Sequence, residues 1–247
     1  MLAIIGGTGL AQLAGLEEVS GERVSGRWGE SYLETGTIAG QPVCFLPRHG
    51  HPPAYPPHKI NYRANIDALR SFDVTHILAV TAVGSVDPAL PVGGIVMPDQ
   101  IIDYTWGRAH TFFDDEIHHI DYTWPYDEML RSRLGEIGRR WHEAGTISFT
   151  DHGVYGCTQG PRLETAAEIQ RMYRDGCHIV GMTAMPEAPL AREADIAYVG
   201  LSLIVNAGAG LNDQAVALDE IEAVMQQGMT HLTGMVKEFL ATWDYSA

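Results

Sequence analysis

Two polar side chains, Asn206 and Glu164, differ in the hydrogen bonds that they can make to a ligand. The amide of Asn206 has both an N–H donor and a C=O acceptor, whereas the ionised carboxylate of Glu164 only accepts. A 6-oxopurine presents O6 as an acceptor and N1–H as a donor. If both side chains face one base, Asn206 donates to O6 and accepts from a protonated N7, while Glu164 accepts from N1–H. The pair therefore favours hypoxanthine or guanine over adenine.

Three short segments carry residue types that bind small anions. Residues 6–9 (GGTG) follow an apolar run and can turn backbone N–H groups and the Thr8 hydroxyl toward phosphate, although they also suit a plain tight turn. They lack the spacing of a dinucleotide fingerprint or a P-loop. Arg48 and His49 precede a proline-rich loop, where a guanidinium can hold an anion bidentately or lie on an ordinary surface. Residues 81–85 end an apolar run, a place where α/β sheets bind ligands or simply turn.

Each remaining candidate also has an ordinary structural interpretation. Met182 suits core packing, and Thr183 suits a helix cap. Asn206 precedes a glycine-rich stretch and can be a turn former. Glu164 suits the first turn of a helix, where the dipole favours an acid. His119 lies in a polar stretch typical of solvated surface.

The sequence predicts neither a disulfide framework nor a metal site. Its three cysteines are widely spaced and contain no CxxC pair. The histidines His49, His51 and His58 lie close together in the sequence. Metal binding by them is a weak interpretation, because no carboxylate or further histidine stands at matching ligand spacing.

Composition limits the class of protein and its partners. A chain of 247 residues with 45% apolar content is long enough for one large domain, which we expect to span residues 1–247. The formal charge of −15 repels polyanions, so nucleic acid and anionic membranes are not expected partners, whereas a small anion at a local site is compatible with it. We find no basic leader and no apolar run of membrane-spanning length, and we expect a cytoplasmic protein.

Apolar periodicity predicts alternating strands and helices, which indicates an α/β protein. The predicted strands are residues 2–5, 32–38 and 42–46 as a hairpin turning at Gly40, 76–83, 94–102, 179–182 and 197–205. The predicted helices are residues 61–72, 127–144, 164–173, 186–194 and 218–243.

Taken together and in order, several groups of residues resemble the methylthioadenosine phosphorylase branch of the trimeric purine nucleoside phosphorylases. They are residues 4–10 (IIGGTGL), 48–50 (RHG) with 61–65 (NYRAN), 81–85 (TAVGS), 160–162 (GPR), and 182–187 (MTAMPE) with 190–193 (LARE). The resemblance covers nearly the whole chain. It implies one α/β domain around a mixed, partly barrel-like sheet flanked by helices, a homotrimer, and cleavage by phosphate without a metal or organic cofactor.

The resemblance also assigns site residues by position. The implied phosphate site consists of Thr8, Arg48, His49, Thr81, Ala82 and Thr183. Met182 would pack under the ribose, while Val180 and Leu163 would line the base. His119 matches a residue that reaches the sugar pocket from a neighbouring subunit.

Two departures from the family pattern bear on the base. Methylthioadenosine phosphorylases have aspartates at the positions of Asn206 and Gly208, where those acids serve the amino group and N7 of adenine. The inosine- and guanosine-using relatives instead have Asn and Glu at the positions of Asn206 and Glu164. This pattern agrees with the donor and acceptor count for a 6-oxopurine.

The 5′ end of the sugar is a separate question. Relatives that use inosine have a histidine where this chain has Leu218, with Ile221 one turn further along. A hydroxyl buried against leucine loses a hydrogen bond at a cost of about 1–3 kcal/mol, whereas a methylthio group gains from the burial. The combined expectation is a nucleoside phosphorylase for S-methyl-5′-thioinosine.

The resemblance implies a division of catalytic roles and leaves rival functions open. Arg48 and His49 would hold the attacking phosphate, and Asn206 would stabilise the departing base. The products would be hypoxanthine and 5-methylthioribose 1-phosphate. The alternatives are an inosine and guanosine phosphorylase, a methylthioadenosine phosphorylase, a hydrolase that uses water, and a non-catalytic nucleoside-binding protein.

Overall fold

Strands and helices alternate along the chain, and the strands join into one mixed sheet. The computed structural model describes residues 1–7, 9–10, 13–212 and 218–243, without the side chains of residues 218 and 220. The strands in the described part are β1 (Leu2–Gly6), β2 (Glu17–Gly26), β3 (Gly29–Ile38), β4 (Gln41–Pro47), β5 (His76–Ser85), β6 (Ile95–Val96), β7 (Gln100–Asp103), β8 (Phe149–Thr150), β9 (Val154–Cys157), β10 (Ile179–Gly181) and β11 (Ala197–Ala207). The helices there are α1 (Tyr62–Ser71), α2 (Glu128–Glu143), α3 (Ala166–Arg174), α4 (Ala184–Glu193) and α5 (Leu218–Ala241).

The central strands are apolar on both faces because helices cover the sheet on both sides. Successive residues of β1 point to opposite faces, so Leu2 and Ile4 join one core cluster and Ala3 and Ile5 join another. The first cluster contains residues of α2 and α5, and the second contains residues of α1 and α4. The predicted α/β class with a mixed sheet is therefore confirmed.

Strand β5 is the branch point of the sheet. One edge of β5 pairs in parallel with β11 along its whole length. The other edge pairs with β1 over residues 76–79 and with β10 over residues 84–85. Within the described residues, positions 80–83 therefore have no strand neighbour on that edge. A crevice opens there, at the carboxyl ends of the parallel strands β1, β5 and β11, which is where α/β sheets bind ligands.

Most predicted elements appear close to their expected bounds. Helix α1 is capped by Asn61, whose side chain accepts a hydrogen bond from the Ala64 N–H. The β3–β4 hairpin turns at Ala39 and Gly40, whose φ angles of 52° and 75° match the favoured two-residue turn. Within the described ranges no helix is both long and apolar enough to cross a bilayer.

Two predicted elements were placed wrongly. The strand expected over residues 94–102 is two strands, β6 and β7, because the Pro98 that interrupts it has no N–H for the ladder. The helix expected from residue 164 begins only at Ala166, because Thr165 and Glu168 form a capping box there. Helix α4 has a kink with non-helical backbone at Met185 and Pro186, so its regular turns follow the Pro186 at which the helix was predicted to begin.

Strands β2, β8 and β9 were not predicted at all. Every residue of β2 is exposed or half-buried, so its sequence lacks the apolar alternation that marks a strand. Strands β8 and β9 contain only two and four residues, too few to show a period.

Candidate active site

The crevice along β5 forms a cleft with a volume of about 200 Å³. Strand ends converge on it: β4 leads to Arg48, β5 contributes Thr81, and β11 contributes Asn206. Strand β10 runs antiparallel to β5, so its continuation at Met182 and Thr183 reaches the same place. The predicted site residues that line this cleft are Arg48, His49, Thr81, Ala82, Leu163, Glu164, Val180, Met182, Thr183, Asn206, Gly208 and Ile221.

Three predicted residues are not placed in the cleft. Thr8 lies outside the described residues, and so does the side chain of Leu218, which begins α5. His119 is exposed on the segment between β7 and α2 and does not line the cleft of its own chain. Leu163 does line it, but at the rim, because 43% of this residue is exposed.

The guanidinium of Arg48 is fully buried and forms a two-point ion pair with Glu187. Its Nε donates to Glu187 Oε2 at 2.6 Å and its Nη2 donates to Oε1 at 2.8 Å, and each side chain is only 1% exposed. The Tyr198 hydroxyl also donates to Glu187 Oε1, at 2.9 Å. Burial by itself lowers the pKa of Arg48, but the charge and hydrogen bonds of Glu187 outweigh it and raise the pKa above its ordinary value.

A third bond orients Arg48 toward the crevice. Its Nη1 donates at 2.9 Å to the Val80 carbonyl, at the point where β5 lacks a strand neighbour. Gly7 packs directly against this nitrogen, since a Cβ at Gly7 would lie 2.6 Å from Nη1. A guanidinium has five N–H groups, and three are used by Glu187 and Val80. One N–H on each of Nη1 and Nη2 is therefore left for an anion in the cleft.

His49 is held in a defined tautomer. Its Nδ1 lies 2.7 Å from the Tyr55 carbonyl oxygen, and because a carbonyl only accepts, Nδ1 carries the proton and donates. Burial lowers the pKa of His49, and the Tyr55 hydrogen bond opposes that effect only in part. At neutral pH the ring is therefore uncharged, and Nε2 is an acceptor.

Two hydroxyls of the cleft are also buried. Thr81 Oγ1 lies 2.9 Å from Ser202 Oγ of the neighbouring strand β11, so one hydroxyl orients the other. Thr183 precedes α4 at its N-cap position, and its side chain makes no capping bond within the chain. Both threonines are less than a tenth exposed. Their hydroxyls can donate to an anion or accept from a protonated one.

A bulge in β11 places Asn206 at the other end of the cleft. The register with β5 shifts between Ile204 and Asn206, so that Asn206 lies opposite Gly84. The amide Nδ2 donates to the Ala207 carbonyl at 2.8 Å. The carbonyl oxygen Oδ1 and the second Nδ2 hydrogen remain for a ligand.

Glu164 lies near Asn206 in the wall that follows β9. Its Oε1 accepts from the Thr158 hydroxyl at 2.6 Å, which fixes the carboxylate. Glu164 precedes α3 rather than forming its first turn, so the cap by Thr165 leaves the carboxylate available to the cleft. Gly208 packs against the β5 backbone, because a Cβ there would lie 2.4 Å from the Ser85 carbonyl oxygen.

The remaining described part of the cleft wall is apolar. Ile221 and Met225 line it from one face of α5, one turn apart, and both also pack against the core. Val205 and Pro57 complete this part of the wall.

Several residues that shape the site were not predicted from sequence. Glu187 was noted only as part of a family pattern, and its ion pair was not predicted, because its partner Arg48 is 139 residues away. Ser202 and Thr158 stand in runs with no chemical pattern of their own. Arg108 lies in a segment without apolar periodicity, although its guanidinium donates to the carbonyls of Met182, which lines the cleft, and of Gln159.

The chain is similar to known proteins over nearly its whole length. A family model described as the phosphorylase superfamily matches residues 1–241. The chain is 49% identical over 244 residues to a probable S-methyl-5′-thioinosine phosphorylase of Pseudomonas syringae pv. tomato, with 97% of this chain and 96% of the relative covered. It is 39% identical over 234 residues to a 6-oxopurine nucleoside phosphorylase of Pyrococcus furiosus, with 92% and 86% covered. A structure of methylthioadenosine phosphorylase from Schistosoma mansoni in complex with adenine has a TM-score of 0.92 at 28% identity, with 99% of this chain and 93% of that chain covered.

Replacing Glu187 by Gln should destabilise the protein strongly. The substitution keeps the shape but leaves the buried charge of Arg48 uncompensated, and breaking such a pair costs about 3–5 kcal/mol. Denaturant unfolding of both proteins measures the difference. The matched control is Glu30→Gln, because Glu30 pairs with Arg23 at 2.7 Å on the surface, where loss of a pair costs about 0–1 kcal/mol. Equal losses in the two variants would contradict the importance of the buried pair.

Proposed function

The chain belongs to the phosphorylase superfamily, and from that premise we propose that it uses phosphate to cleave S-methyl-5′-thioinosine into hypoxanthine and 5-methylthioribose 1-phosphate. One observation carries the proposal. A single cleft has Asn206 and Glu164 in its wall together with an apolar patch from α5 and a buried guanidinium. These features match, in turn, a 6-oxopurine, a methylthio group and phosphate.

Asn206 and Glu164 supply the proposed base recognition. The free Nδ2 hydrogen of Asn206 donates to O6, and its Oδ1 accepts from a protonated N7. Glu164 accepts from N1–H through the oxygen that Thr158 does not occupy. Adenine presents an amino donor at C6 and an acceptor at N1, so both contacts would be mismatched. Val180 and Leu163 add apolar surface for the ring, and Met182 packs under the ribose.

The apolar wall from α5 supports a methylthio group at the 5′ position. Ile221 and Met225 offer no hydrogen bond that would compensate a buried hydroxyl. A methylthio group gains from burial there, at about 25 cal/mol per Å² of apolar surface. Leu218, which the family resemblance assigns to the 5′ pocket, begins the same helix, and its side chain lies outside the described residues.

Phosphate occupies the proposed anion site opposite the base. The two unused N–H groups of Arg48 and the hydroxyls of Thr81 and Thr183 donate to its oxygens, and Ala82 lines the same cleft. Thr8, which the family resemblance assigns to this site, lies outside the described residues. Neutral His49 accepts the single O–H of the hydrogen phosphate dianion at Nε2.

Phosphorolysis exchanges one bond at the anomeric carbon for another. The bond from C1′ to N9 breaks with its electron pair going to the purine, and a phosphate oxygen forms the new bond to C1′. The proton of the hydrogen phosphate passes through solvent to N7, so that neutral hypoxanthine and the sugar phosphate dianion are released. Positive charge on the sugar is stabilised by the phosphate, and negative charge on the base is spread to N7 and O6, where Asn206 binds. Arg48, His49 and Asn206 are the proposed catalytic residues, and they act by positioning and preorganised dipoles without a covalent enzyme intermediate.

We extend the proposal to the state of the protein in the cell. One sheet runs from the first strand to the last, which supports a single nucleoside phosphorylase domain over residues 1–247. We propose a homotrimer in the cytoplasm, in which His119 of one subunit reaches the sugar pocket of the next. Its exposure in the single chain leaves it available for that contact.

A nucleoside panel with and without phosphate tests the proposed reaction. We expect hypoxanthine release from methylthioinosine only when phosphate is present, with kcat/KM for inosine at least about tenfold lower, since one unpaired hydroxyl costs about 1–3 kcal/mol. The main alternative is a phosphorylase for inosine and guanosine, which is favoured by relatives named 6-oxopurine nucleoside phosphorylase. Equal use of inosine would support that alternative, and release without phosphate would indicate a hydrolase.

The variant Asn206→Asp tests base recognition. A carboxylate cannot donate to O6, so kcat/KM for methylthioinosine should fall about 10- to 100-fold, while the relative use of methylthioadenosine rises. Adding Gly208→Asp should not complete the change, because a Cβ at residue 208 collides with the Ser85 carbonyl. Gly208→Ala is the control, since it introduces the same collision without an acid. An unchanged ratio of the two substrates in Asn206→Asp would refute the role of Asn206.

Met225→Gln tests the sugar pocket. The amide is close in size to the thioether but is polar, so about 1–2 kcal/mol of apolar burial is lost. We therefore expect kcat/KM for methylthioinosine to fall several-fold, and the ratio of kcat/KM for methylthioinosine to that for inosine should fall as well. Met129→Gln is the control, because Met129 is exposed on α2 and is not part of the cleft lining. If both variants kept the wild-type preference, Met225 would not contact the 5′ group.

A further inference from the structure

Arg108 makes an unusually large number of hydrogen bonds for a residue that does not line the cleft. Its Nε donates to the Gln159 side-chain oxygen at 3.1 Å, and its Nη2 donates to the carbonyls of Thr158 at 3.2 Å and Gln159 at 2.9 Å. Its Nη1 donates to the Met182 carbonyl at 2.8 Å and to that of Met185. All three nitrogens of this half-buried guanidinium are therefore engaged by the protein.

Of the residues that supply these acceptors, Met182 lines the cleft, whereas Thr158, Gln159 and Met185 are not part of its lining and act on residues that are. Thr158 and Gln159 follow β9, and Thr158 is the residue whose hydroxyl fixes Glu164. Met182 and Met185 flank Thr183, between β10 and α4. One planar group thus bonds both the segment that carries Glu164, assigned to the base, and the segment that carries Met182, assigned to the ribose. It adds to the direct bond between these segments, from the Thr158 N–H to the Gly181 carbonyl at 2.8 Å.

A third wall is reached through Tyr62. Arg108 Nη1 lies 3.3 Å from the Tyr62 hydroxyl, and the guanidinium carbon lies 5.5 Å from the centre of the Tyr62 ring. The Tyr62 hydroxyl in turn donates at 2.9 Å to the carbonyl of Pro57, which lines the cleft.

The acceptors of Arg108 are all neutral among the residues that the structure describes. They are backbone carbonyls, an amide oxygen and a hydroxyl, so these bonds fix backbone positions without neutralising the guanidinium. A planar fork satisfies several carbonyls at fixed angles, whereas a lysine ammonium reaches fewer of them from one position. Loop carbonyls that lose this donor have no ladder partner to replace it.

We propose that Arg108 is a positioning residue, whose guanidinium holds the three walls of the cleft at the separation that productive nucleoside binding needs. This inference rests on the proposed function. It acts through Met182 and through Thr158 with Glu164, so its main effect falls on the nucleoside. Phosphate depends chiefly on Arg48, whose contacts with Glu187 and Val80 do not involve Arg108.

A simpler role for Arg108 would be to anchor the segment between β7 and α2 to the body of the protein. Arg63 makes the matched comparison, because it anchors the same segment through the Thr111 carbonyl at 3.4 Å and the Asp114 carboxylate. Its contacts do not include a wall of the cleft. If anchoring alone mattered, the loss of either arginine would have the same consequence.

The test compares Arg108→Ala, Arg108→Lys and Arg63→Ala with the wild type in the full-length protein. Steady-state kinetics with methylthioinosine and phosphate give kcat and both KM values, and thermal unfolding reports the folded fraction. For Arg108→Ala we expect kcat/KM for the nucleoside to fall at least about tenfold, with the KM for phosphate changed less than about threefold, because a small displacement of binding groups is costly. Arg108→Lys should be intermediate, and Arg63→Ala should stay near the wild type.

Chemical rescue separates positioning from general stability. Millimolar guanidinium chloride, well below denaturing concentrations, should restore part of the nucleoside kcat/KM of Arg108→Ala and leave Arg63→Ala unchanged. If Arg108→Ala does not fold, Arg108→Lys provides the same test, because its KM for the nucleoside should change more than its KM for phosphate.

Four results would overturn the inference. The first two are a wild-type kcat/KM for the nucleoside in Arg108→Lys and equal losses of kcat/KM in Arg108→Ala and Arg63→Ala. The other two are a loss of activity in Arg108→Ala that follows the folded fraction and is not rescued by guanidinium, and an effect confined to the KM for phosphate. Failure of the proposed function shows instead in the wild type, which would then release no hypoxanthine with phosphate, and the inference would fall with it.

Discussion

The buried ion pair between Arg48 and Glu187 is the interaction on which the site depends. Moving two charges out of water is costly, and a buried pair adds stability only when its geometry and its remaining hydrogen bonds are satisfied. Here both Glu187 oxygens are used, and Arg48 also bonds the Val80 carbonyl that the branching of the sheet leaves unpaired. The pair therefore supplies a hydrogen bond to β5 where the sheet does not. The same bonds hold the guanidinium at one angle, so its last two N–H groups are ready for an anion.

This arrangement explains how an acidic protein can hold an anion. The chain carries a formal charge of −15, and the charge of Arg48 is largely balanced by Glu187. Attraction at the proposed phosphate site must therefore come from short-range donors such as the hydroxyls of Thr81 and Thr183, which are both buried. Such donors act at low dielectric and need little reorganisation when charge develops. The distant field weakens over about 8–10 Å in physiological salt, so it does not oppose binding strongly.

The sequence predicts the elements better than it predicts how they meet. Long apolar runs such as β5 and β11 and the capped helix α1 follow from local patterns, which is why their bounds were close. Strand β2 is exposed and gives no such pattern. The predicted site residues follow strand ends, so topology alone brings most of them to one cleft. The contacts of Glu187 and Arg108 could not be predicted, because nothing local in the chain specifies which distant atoms they bond.

Base preference in this chain is a property of the backbone as well as of one amide. The bulge in β11 turns Asn206 toward the cleft, and two residues later Gly208 packs so closely on the Ser85 carbonyl that no side chain fits without movement. An acid at residue 208 therefore needs a different path of the chain between β11 and α5. Such a path requires a shift of β11 against β5. Because both strands are buried and pair with each other on either side of the bulge, that shift is costly, and under the proposed base recognition the choice of base is left to Asn206 and Glu164.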